Sequence, residues 1–314
     1  MKKSSLTILL IAGCLMCLTL TSVAWSQEKK PAVSQRPTVN AGLPHVSPDG
    51  SHIAFVSDRD GATDLFVISS NGTGKVQLTH TPEYESPAGW TRDSKHVLFS
   101  VYANDISTLY KIGLDGPSGN NPREIGRFSG RSPTPSPDGK RVVYMAGSWQ
   151  ATRLMVALIG TKEDQRPQQI TDGSSSAWNT HWSPDGKWLA FTGRHDSQSD
   201  LAIFVMNADG SERRQLTHIA PEEGAAQWPV WSPDGKRVAV QVNSRSSKNS
   251  AYIWIVEVAN GEARKLGVHD ETYLDETPSW FPDGKRIAFQ SNRTGQMEIW
   301  IMNVDGSGQL QVTH

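Results

Sequence analysis

The sequence predicts an all-β protein, a six-bladed β-propeller in which each blade is a four-stranded antiparallel sheet. Five copies of the tetrapeptide Ser/Phe-Pro-Asp-Gly begin at residues 47, 136, 183, 232 and 281, and a degenerate copy, Thr-Arg-Asp-Ser, begins at residue 91. Successive copies start 44 to 49 residues apart. This period is typical of propeller blades and is too long for leucine-rich, ankyrin or tetratricopeptide repeats.

Each repeat has the pattern of four short strands, which is clearest in the fourth copy. There, β-branched and aromatic residues dominate 187–192 and 202–206, as is usual in strands. Pro-Asp-Gly follows the first strand and Asn207-Ala208-Asp209-Gly210 follows the third, and both are turn sequences. Six such units predict a closed ring of blades. The expected blades are 43–80, 86–128, 132–172, 178–218, 227–268 and 276–314.

The Asp that recurs in every tetrapeptide has two interpretations, a ring of carboxylates or a turn residue. Pro presets φ, Asp accepts hydrogen bonds from nearby backbone, and Gly adopts a positive φ, so the combination favours a hairpin turn. We assign to turns Asp49, Asp93, Asp138, Asp185, Asp234 and Asp283. A tryptophan precedes the tetrapeptide in four repeats, and we expect it to pack between neighbouring blades rather than to stack on a ligand. These residues are Trp90, Trp182, Trp231 and Trp280.

The N-terminal sequence predicts export to the periplasm or secretion. Lys2 and Lys3 precede a mostly apolar run, and small residues near Ala24 have the spacing of a signal-peptidase site. We interpret residues 1–26 as a signal peptide and residues 27–42 as a polar linker. The run is short for a membrane span and is broken by Gly13, so we expect no span in the mature chain.

Both cysteines lie in this apolar run. Ile11-Ala12-Gly13-Cys14 is similar to a bacterial lipobox, which leaves open a lipoprotein anchored through Cys14. If the signal peptide instead ends near Ser26, the folded protein contains no cysteine and no disulfide.

Composition and motifs argue against several classes of function. The chain has 31 basic and 32 acidic residues without a basic cluster, and nucleic-acid binding normally needs such a cluster. The sequence contains no Gly-x-Ser-x-Gly, no His-Glu-x-x-His, no phosphate-binding loop and no dinucleotide fingerprint. We therefore expect no enzyme and no cofactor. The alternative is a carbohydrate-active lyase, or another enzyme for small substrates, that uses side chains at the mouth of the channel.

The repeats resemble those of a known family. W-S-P-D-G-K at 182–187, S-D/N-R-x-G at 57–61 and 291–295, and M-N-x-D-G-S within 204–211 and 301–307 are similar to the WD40-like (PD40) repeats of the TolB-like propeller family. The resemblance covers all six repeats. It implies a scaffold that binds a protein or peptide in the cell envelope. Propellers of this family can follow an α/β domain, and we expect no such domain before the first blade here, because only about 15 residues separate the expected cleavage site from it.

Propeller loops alternate between two faces. The loop face carries the second-to-third-strand loops and the blade-to-blade loops, whereas the turn face carries the Pro-Asp-Gly turns and the third-to-fourth-strand turns. The loop face varies in sequence, and loops on a rigid scaffold often carry binding. We expect a partner to contact Arg59, Tyr84, Glu85, Arg131, Trp149, Trp178, Arg194, Gln227, Arg245, Tyr273, Glu276 and Arg293.

The sequence supports a more specific prediction for two groups of these loop residues. Trp149 and Trp178 are expected to be exposed near the channel mouth as one apolar anchor. The repeated arginines have a second interpretation, in which each pairs with a local carboxylate. These are Arg59, Arg194, Arg245 and Arg293.

Two candidate metal sites can be considered. Asp58, Asp60 and Asp64 place three carboxylates near one loop, as calcium can use, but Asp60-Gly61 is also an ordinary turn. His45 and His181 lie two residues before their tetrapeptides, in blades one and four, so they are expected to face each other across the channel. Two imidazoles without a third ligand make a poor metal site, and we expect inner-strand histidines instead.

Overall fold

The computed structural model describes residues 41–59, 63–115, 121–148, 151–160, 166–173, 176–195, 200–246, 250–267 and 273–314. The expected signal peptide with Cys14, the linker up to residue 40, Asp60 and Trp149 lie outside these residues. The described part contains 24 strands in six four-stranded antiparallel sheets, which confirms the six-bladed propeller. It contains no apolar helix of membrane-spanning length.

Every blade is formed by consecutive chain. Blade 1 has strands β1 (Gly42–Val46), β2 (His52–Ser57), β3 (Asp64–Ser69) and β4 (Val76–Gln77). Blade 2 has β5 (Glu85–Trp90), β6 (His96–Ala103), β7 (Ile106–Gly113) and β8 (Arg123–Phe128). Blade 3 has β9 (Arg131–Pro135), β10 (Arg141–Ala146), β11 (Arg153–Leu158) and β12 (Gln168–Gln169).

The second half of the ring repeats this order. Blade 4 has β13 (Ala177–Trp182), β14 (Trp188–Gly193), β15 (Ala202–Asn207) and β16 (Arg214–Gln215). Blade 5 has β17 (Ala225–Trp231), β18 (Arg237–Asn243), β19 (Ala251–Glu257) and β20 (Ala263–Lys265). Blade 6 has β21 (Asp275–Trp280), β22 (Arg286–Ser291), β23 (Glu298–Asn303) and β24 (Leu310–Gln311). First strands begin one or two residues before the expected blade starts.

The tetrapeptides form the turns that local chemistry predicts. In blade 4, Ser183 Oγ donates to Asp185 Oδ1 at 2.6 Å and the amide of Lys187 donates to the same oxygen at 3.1 Å. Gly186 has a φ of 68°, and Ser94 takes the same conformation in the degenerate copy with a φ of 59°. The hydrogen bond from Ser183 holds the pKa of Asp185 below its usual value. These aspartates are therefore turn residues, as predicted.

The tryptophans before the turns pack between blades. Trp90 Nε1 donates to the carbonyl of His45 at 2.8 Å, Trp182 Nε1 to Thr134 at 2.9 Å, and Trp280 Nε1 to Val230 at 3.0 Å. Each acceptor lies in the innermost strand of the preceding blade. The expectation of core packing is confirmed for these residues. Trp231 is also buried, but its Nε1 finds no hydrogen-bond partner in the described part of the chain.

Blades 1 and 6 pack directly against each other. The amide of Ala41 donates to the carbonyl of Met297 at 2.9 Å, and the amide of Val46 donates to Ser279 Oγ at 3.0 Å. Phe55 of blade 1 and Phe281 of blade 6 belong to one buried cluster. In the described sheets no strand is exchanged between the two blades, so side-chain packing and these hydrogen bonds hold the seam.

Candidate functional site

The innermost strands of the six blades enclose a central cavity of about 140 Å³. Each strand contributes two or more residues to its wall, and several are prolines. The wall is formed by Leu43, Pro44, His45, Ser86, Pro87, Ala88, Ser100, Ser132, Pro133, Thr134, Asn179, Thr180, His181, Trp228, Pro229, Val230, Thr277, Pro278 and Ser279.

A bulge in the innermost strands shapes this wall. Five residues other than glycine have a φ near 50° there, namely Leu43, Ser132, Asn179, Trp228 and Thr277. The strand register shifts at the same place. Such left-handed residues cost about 1–3 kcal/mol each, so neighbouring groups must hold them in place.

Side chains of the preceding blade hold three of these bulges. The amide of Trp228 donates to Thr192 Oγ1 at 3.3 Å, that of Thr277 to Gln241 Oε1 at 3.2 Å, and that of Leu43 to Gln290 Oε1 at 2.9 Å. Each acceptor lies on the second strand of the neighbouring blade. The channel wall is therefore fixed by contacts between blades rather than by its own local sequence.

The two histidines that the sequence singled out line the same cavity. Burial and, to a smaller extent, the charge of His181 together lower the pKa of His45 to about 4. Burial likewise lowers the pKa of His181 to about 4. Both imidazoles are therefore neutral at pH 7. A neutral imidazole can accept a hydrogen bond or bind a metal ion.

A polar chain joins blades 5, 6 and 1 beside the channel. Gln241 Nε2 donates to Glu276 Oε1 at 3.2 Å, and Gln290 Nε2 donates to Glu276 Oε2 at 2.9 Å. Gln290 is the residue that also accepts from the amide of Leu43. Burial is the main cause that raises the pKa of Glu276. This carboxyl, which was expected to contact a partner, thus takes part in the structure of the rim.

Three of the four repeated arginines pair with carboxylates. Arg293 contacts Asp275 of its own blade. Arg59 pairs with Glu298 of blade 6 and Arg245 with Asp200 of blade 4, so these two join neighbouring blades rather than their own loops. The carbonyl of Arg194 accepts a hydrogen bond from Arg213 at 3.1 Å.

The expected aromatic anchor is not as exposed as the sequence suggested. Trp178 is half-buried and packs against the core cluster of blades 3 and 4, because its strand position faces that cluster. Its partner Trp149 lies outside the described residues. Tyr273 is half-buried, with the guanidinium of Arg293 5.7 Å from its ring centroid. Tyr84, by contrast, is 56% exposed.

The expectation that a partner contacts Glu85 is wrong, because Glu85 is fully buried. It accepts hydrogen bonds from Thr81 Oγ1 at 3.0 Å and from the amide of Leu65 at 3.2 Å. Thr79 Oγ1 also donates a hydrogen bond to the carboxylate of Glu85. Burial is the largest influence on the pKa of Glu85, which is raised. Glu85 thus fastens the end of blade 1 to the start of blade 2.

The proposed calcium ligands do not assemble in the described residues. Asp64 is 5% exposed, and its carboxylate accepts from Gln77 Nε2 at 2.9 Å and from the amide of Thr81 at 3.1 Å. Asp58 is half-buried, and Asp60 is not described. Among described residues, no group of three His, Cys, Asp or Glu side chains is placed to hold a metal ion.

Sequence reasoning missed three apolar side chains of the channel and loop face. Trp228 is 38% exposed in the channel wall, and Tyr102 and Ile106 are 40% and 41% exposed on the hairpin of blade 2. Asn104 and Asp105, with φ values of 52° and 62°, form the two-residue turn of this hairpin. In the sequence, the Asn-Asp pair between two strand-like segments was the signal for this hairpin. Glu85 pairs with Val101, so Tyr84, which directly precedes β5, lies next to the position of Tyr102 on β6.

Comparisons with known proteins agree with this architecture. A family model described as "PD40: TolB beta propeller domain" matches residues 217–314. The chain is 25% identical over 190 residues to "Uncharacterized peptidase YuxL" of Bacillus subtilis, covering 59% of this chain and 26% of that protein. It is 29% identical over 198 residues to "Uncharacterized protein Atu1656" of Agrobacterium fabrum, covering 59% and 64%.

The match with these two relatives therefore spans less than two thirds of either relative's length. Among solved structures, TolB from Acinetobacter baumannii aligns with a TM-score of 0.63 and 20% identity, over 86% of this chain and 62% of that chain. That likeness concerns the fold. The family-model match over residues 217–314, the structural likeness and the six four-stranded blades show that this chain is similar to TolB-like β-propellers.

Proposed function

We propose that this chain is an exported, non-enzymatic propeller that binds a protein or peptide of the cell envelope at the loop face. The observation that carries this proposal is the group of exposed aromatic side chains there, with Tyr84 and Tyr102 at the rim of blade 2 and Trp228 in the channel wall. Tyrosine and tryptophan are among the commonest anchors of protein interfaces. The hydroxyl of Tyr102 donates to Asp105 Oδ1 at 2.7 Å, and this hydrogen bond raises the pKa of Tyr102.

The size of the channel supports contact at its mouth rather than inside it. A cavity of about 140 Å³ is smaller than the ~300–1,000 Å³ of typical small-molecule sites. The bulged strands and the chain through Glu276 fix its wall. A partner would therefore rest on the rim and insert one or two side chains. The predicted signal peptide supports a location in the periplasm or outside the cell.

Capture from an envelope extract tests this proposal. We expect the wild-type protein to retain a partner that the variant Tyr84→Ala/Trp228→Asn loses. Asn is chosen at 228 because it tolerates the left-handed backbone. Leu310→Ala is the matched control, since Leu310 is a 53% exposed apolar residue on the outermost strand of blade 6. Equal capture by wild type and double variant would contradict the proposal, provided that both give the same thermal unfolding curve.

The histidine pair favours a second candidate function, a small-substrate enzyme that uses a metal at the channel. His45 and His181 are both neutral and line one cavity. They would supply two nitrogen ligands, whereas catalytic zinc sites use three protein ligands. Metal analysis after dialysis against zinc or manganese, with His45→Gln as the control variant, separates the two functions. Stoichiometric metal that the variant loses would favour the enzyme.

A further inference from the structure

The interface between blades 2 and 3 differs from the other five. Elsewhere an aromatic ring fills the turn-face end of each interface. Trp90, Trp182, Trp231 and Trp280 do so at four interfaces, and Phe281 of blade 6 packs beside Val46 at the seam with blade 1. In blade 3 the corresponding residue is Pro135, at the end of β9. The interface between blades 2 and 3 therefore lacks a ring at this position.

A second difference lies on the facing side of blade 2. In strand register, Lys111 pairs with Leu98. The equivalent pairs of the other blades place valine or isoleucine at the position of Lys111. They are Ala54 with Val67, Val143 with Val156, Ala190 with Val205, Ala239 with Ile255 and Ala288 with Ile301. A half-buried lysine thus stands where the other five blades have an aliphatic residue, which is buried in four of them.

A third difference is Tyr144 on the second strand of blade 3. Four other blades have phenylalanine at this position and blade 5 has Val240. Tyr144 is 4% exposed, and its ring lies 5.5 Å from that of Phe128. Its hydroxyl makes no hydrogen bond with any residue in the described ranges, and Tyr144 lines the groove at this interface.

At the interface with these three replacements, a groove of about 1,090 Å³ lies between the blades on the turn face, whereas the corresponding groove between blades 4 and 5 has about 560 Å³. Leu98, Lys111, Phe128 and Tyr144 are among the residues that line it. The buried cluster at this interface holds four residues, against seven to ten at the others within the described chain. The groove is therefore the place where the core of the ring is incomplete.

The groove also carries an excess of positive charge. Its lining contains four cationic side chains and two carboxylates. Arg127 is paired with Glu124, at 2.8 Å and 2.9 Å. Arg92, Lys111 and Arg123 form no ion pair with a described residue. Asp138 keeps its negative charge while its Oδ1 accepts hydrogen bonds from Ser136 Oγ and the amide of Lys140, so the lining retains an excess of two positive charges.

The groove crosses the full width of blade 2. Trp90, Leu98, Lys111 and the residues of β8 lie on its four successive strands. Three strand spacings of ~4.8 Å give a length of about 14 Å, which an extended peptide covers with about four residues at ~3.3 Å each. A single aromatic molecule would occupy only a part of this length, so the dimensions favour a peptide segment.

We propose that this groove binds an acidic peptide segment that inserts an aromatic side chain where the other interfaces have a ring of their own. The ring would pack against Leu98 and Phe128. A carboxylate beside it would pair with Lys111 and accept a hydrogen bond from the hydroxyl of Tyr144. This site lies on the turn face, so it is separate from the proposed partner surface on the loop face and does not depend on it.

Calorimetric titration with synthetic peptides tests the proposal. The probe is acetyl-Asp-Glu-Trp-Glu-Asp-amide, compared with the same peptide carrying Leu in place of Trp and with one carrying Lys in place of the acidic residues. We expect the probe to bind the full chain at least about tenfold more tightly than either comparison peptide, since charge-assisted hydrogen bonds and ring burial both contribute. Equal binding of the three peptides would overturn the proposal.

Two variants locate the binding. Lys111→Val restores the residue type of the other blades and should weaken binding about tenfold while raising the unfolding temperature. Tyr144→Phe likewise restores the residue type of the other blades and should weaken binding about threefold. Lys187→Val, at an exposed lysine of the turn face of blade 4, is the matched control and should bind normally. Unchanged affinity in both Lys111→Val and Tyr144→Phe would show that the peptide binds elsewhere and overturn the assignment.

Discussion

One guanidinium nitrogen of Arg293 lies 2.7 Å from both carboxylate oxygens of Asp275, and the two side chains are 10% and 0% exposed. Three aromatic rings surround the guanidinium, those of Trp300, Phe289 and Tyr273, at 4.7 Å, 5.2 Å and 5.7 Å. The aromatic rings shield the guanidinium from water and the buried carboxylate neutralises its charge. This arrangement stabilises the blade. Arg293 is therefore a structural residue rather than a contact for a partner.

Replacing Arg293 by Ala should destabilise the fold strongly. The change leaves Asp275 buried without its cation, and such losses cost about 3–5 kcal/mol. Urea unfolding measures the effect. Arg245→Ala is the matched control, because the ion pair of Arg245 with Asp200 is about half exposed on both sides, at 52% and 50%, and exposed pairs contribute only about 0.2–1 kcal/mol. Equal losses in the two variants would contradict the distinction between these pairs.

The tryptophans before the turns allow the energy of one hydrogen bond to be isolated. Trp182 Nε1 donates to Thr134 at 2.9 Å, whereas Trp231 Nε1 has no partner in the described part of the chain. Trp182→Phe should therefore cost about 1 kcal/mol more than Trp231→Phe, since both variants lose a similar ring volume but only one leaves a carbonyl without its donor. Denaturant unfolding of both variants measures the difference. A larger loss in Trp231→Phe would show that packing outweighs the hydrogen bond.

The features that the sequence predicts are those determined by neighbouring residues. Ser183, Asp185 and Gly186 form a turn through their own hydrogen bonds and backbone preferences, so the repeat alone predicts the turn and hence the strands around it. The number of blades follows likewise from the number of repeated tetrapeptides. These local rules explain why the fold was predicted.

The candidate site depends on contacts between blades, which the sequence does not reveal. The left-handed backbone of Trp228 is held by Thr192, 36 residues away, and nothing local to Trp228 favours it. Glu85 is buried because Thr79 and Leu65 of blade 1 donate to it. Position in the loop suggested exposure for Glu85, but its neighbours in space determine its burial.

The seam between blades 1 and 6 leads to a prediction about the N-terminal segment. The hydrogen bonds of Ala41 with Met297 and of Leu43 with Gln290 already join these blades. Deleting residues 27–38 should therefore leave the unfolding temperature nearly unchanged, as calorimetry can measure. Extending the deletion through residue 43 removes both hydrogen bonds and should lower it. A large drop with the shorter deletion alone would mean that the segment clasps the ring.

Stability should fall as the pH is lowered from about 6.5 towards 4, because of the channel histidines. The pKa of both His45 and His181 is lowered from 6.5 to about 4 in the folded protein. The unfolded chain therefore takes up protons first as the pH falls, which favours unfolding. The stabilisation is fully present above pH 6.5 and is lost through this window. Urea midpoints measured at several pH values give the profile.

The variant His45→Gln/His181→Gln isolates this contribution. Glu85 and Glu276 act in the opposite direction in the lower part of the window, because burial raises the pKa of each and so favours folding when they are protonated. Their effect is common to wild type and variant, and the difference between the two profiles therefore belongs to the histidines. We expect the variant's midpoint to change less between pH 6.5 and pH 4 than that of the wild type. Parallel profiles would mean that the imidazoles are not desolvated in the channel.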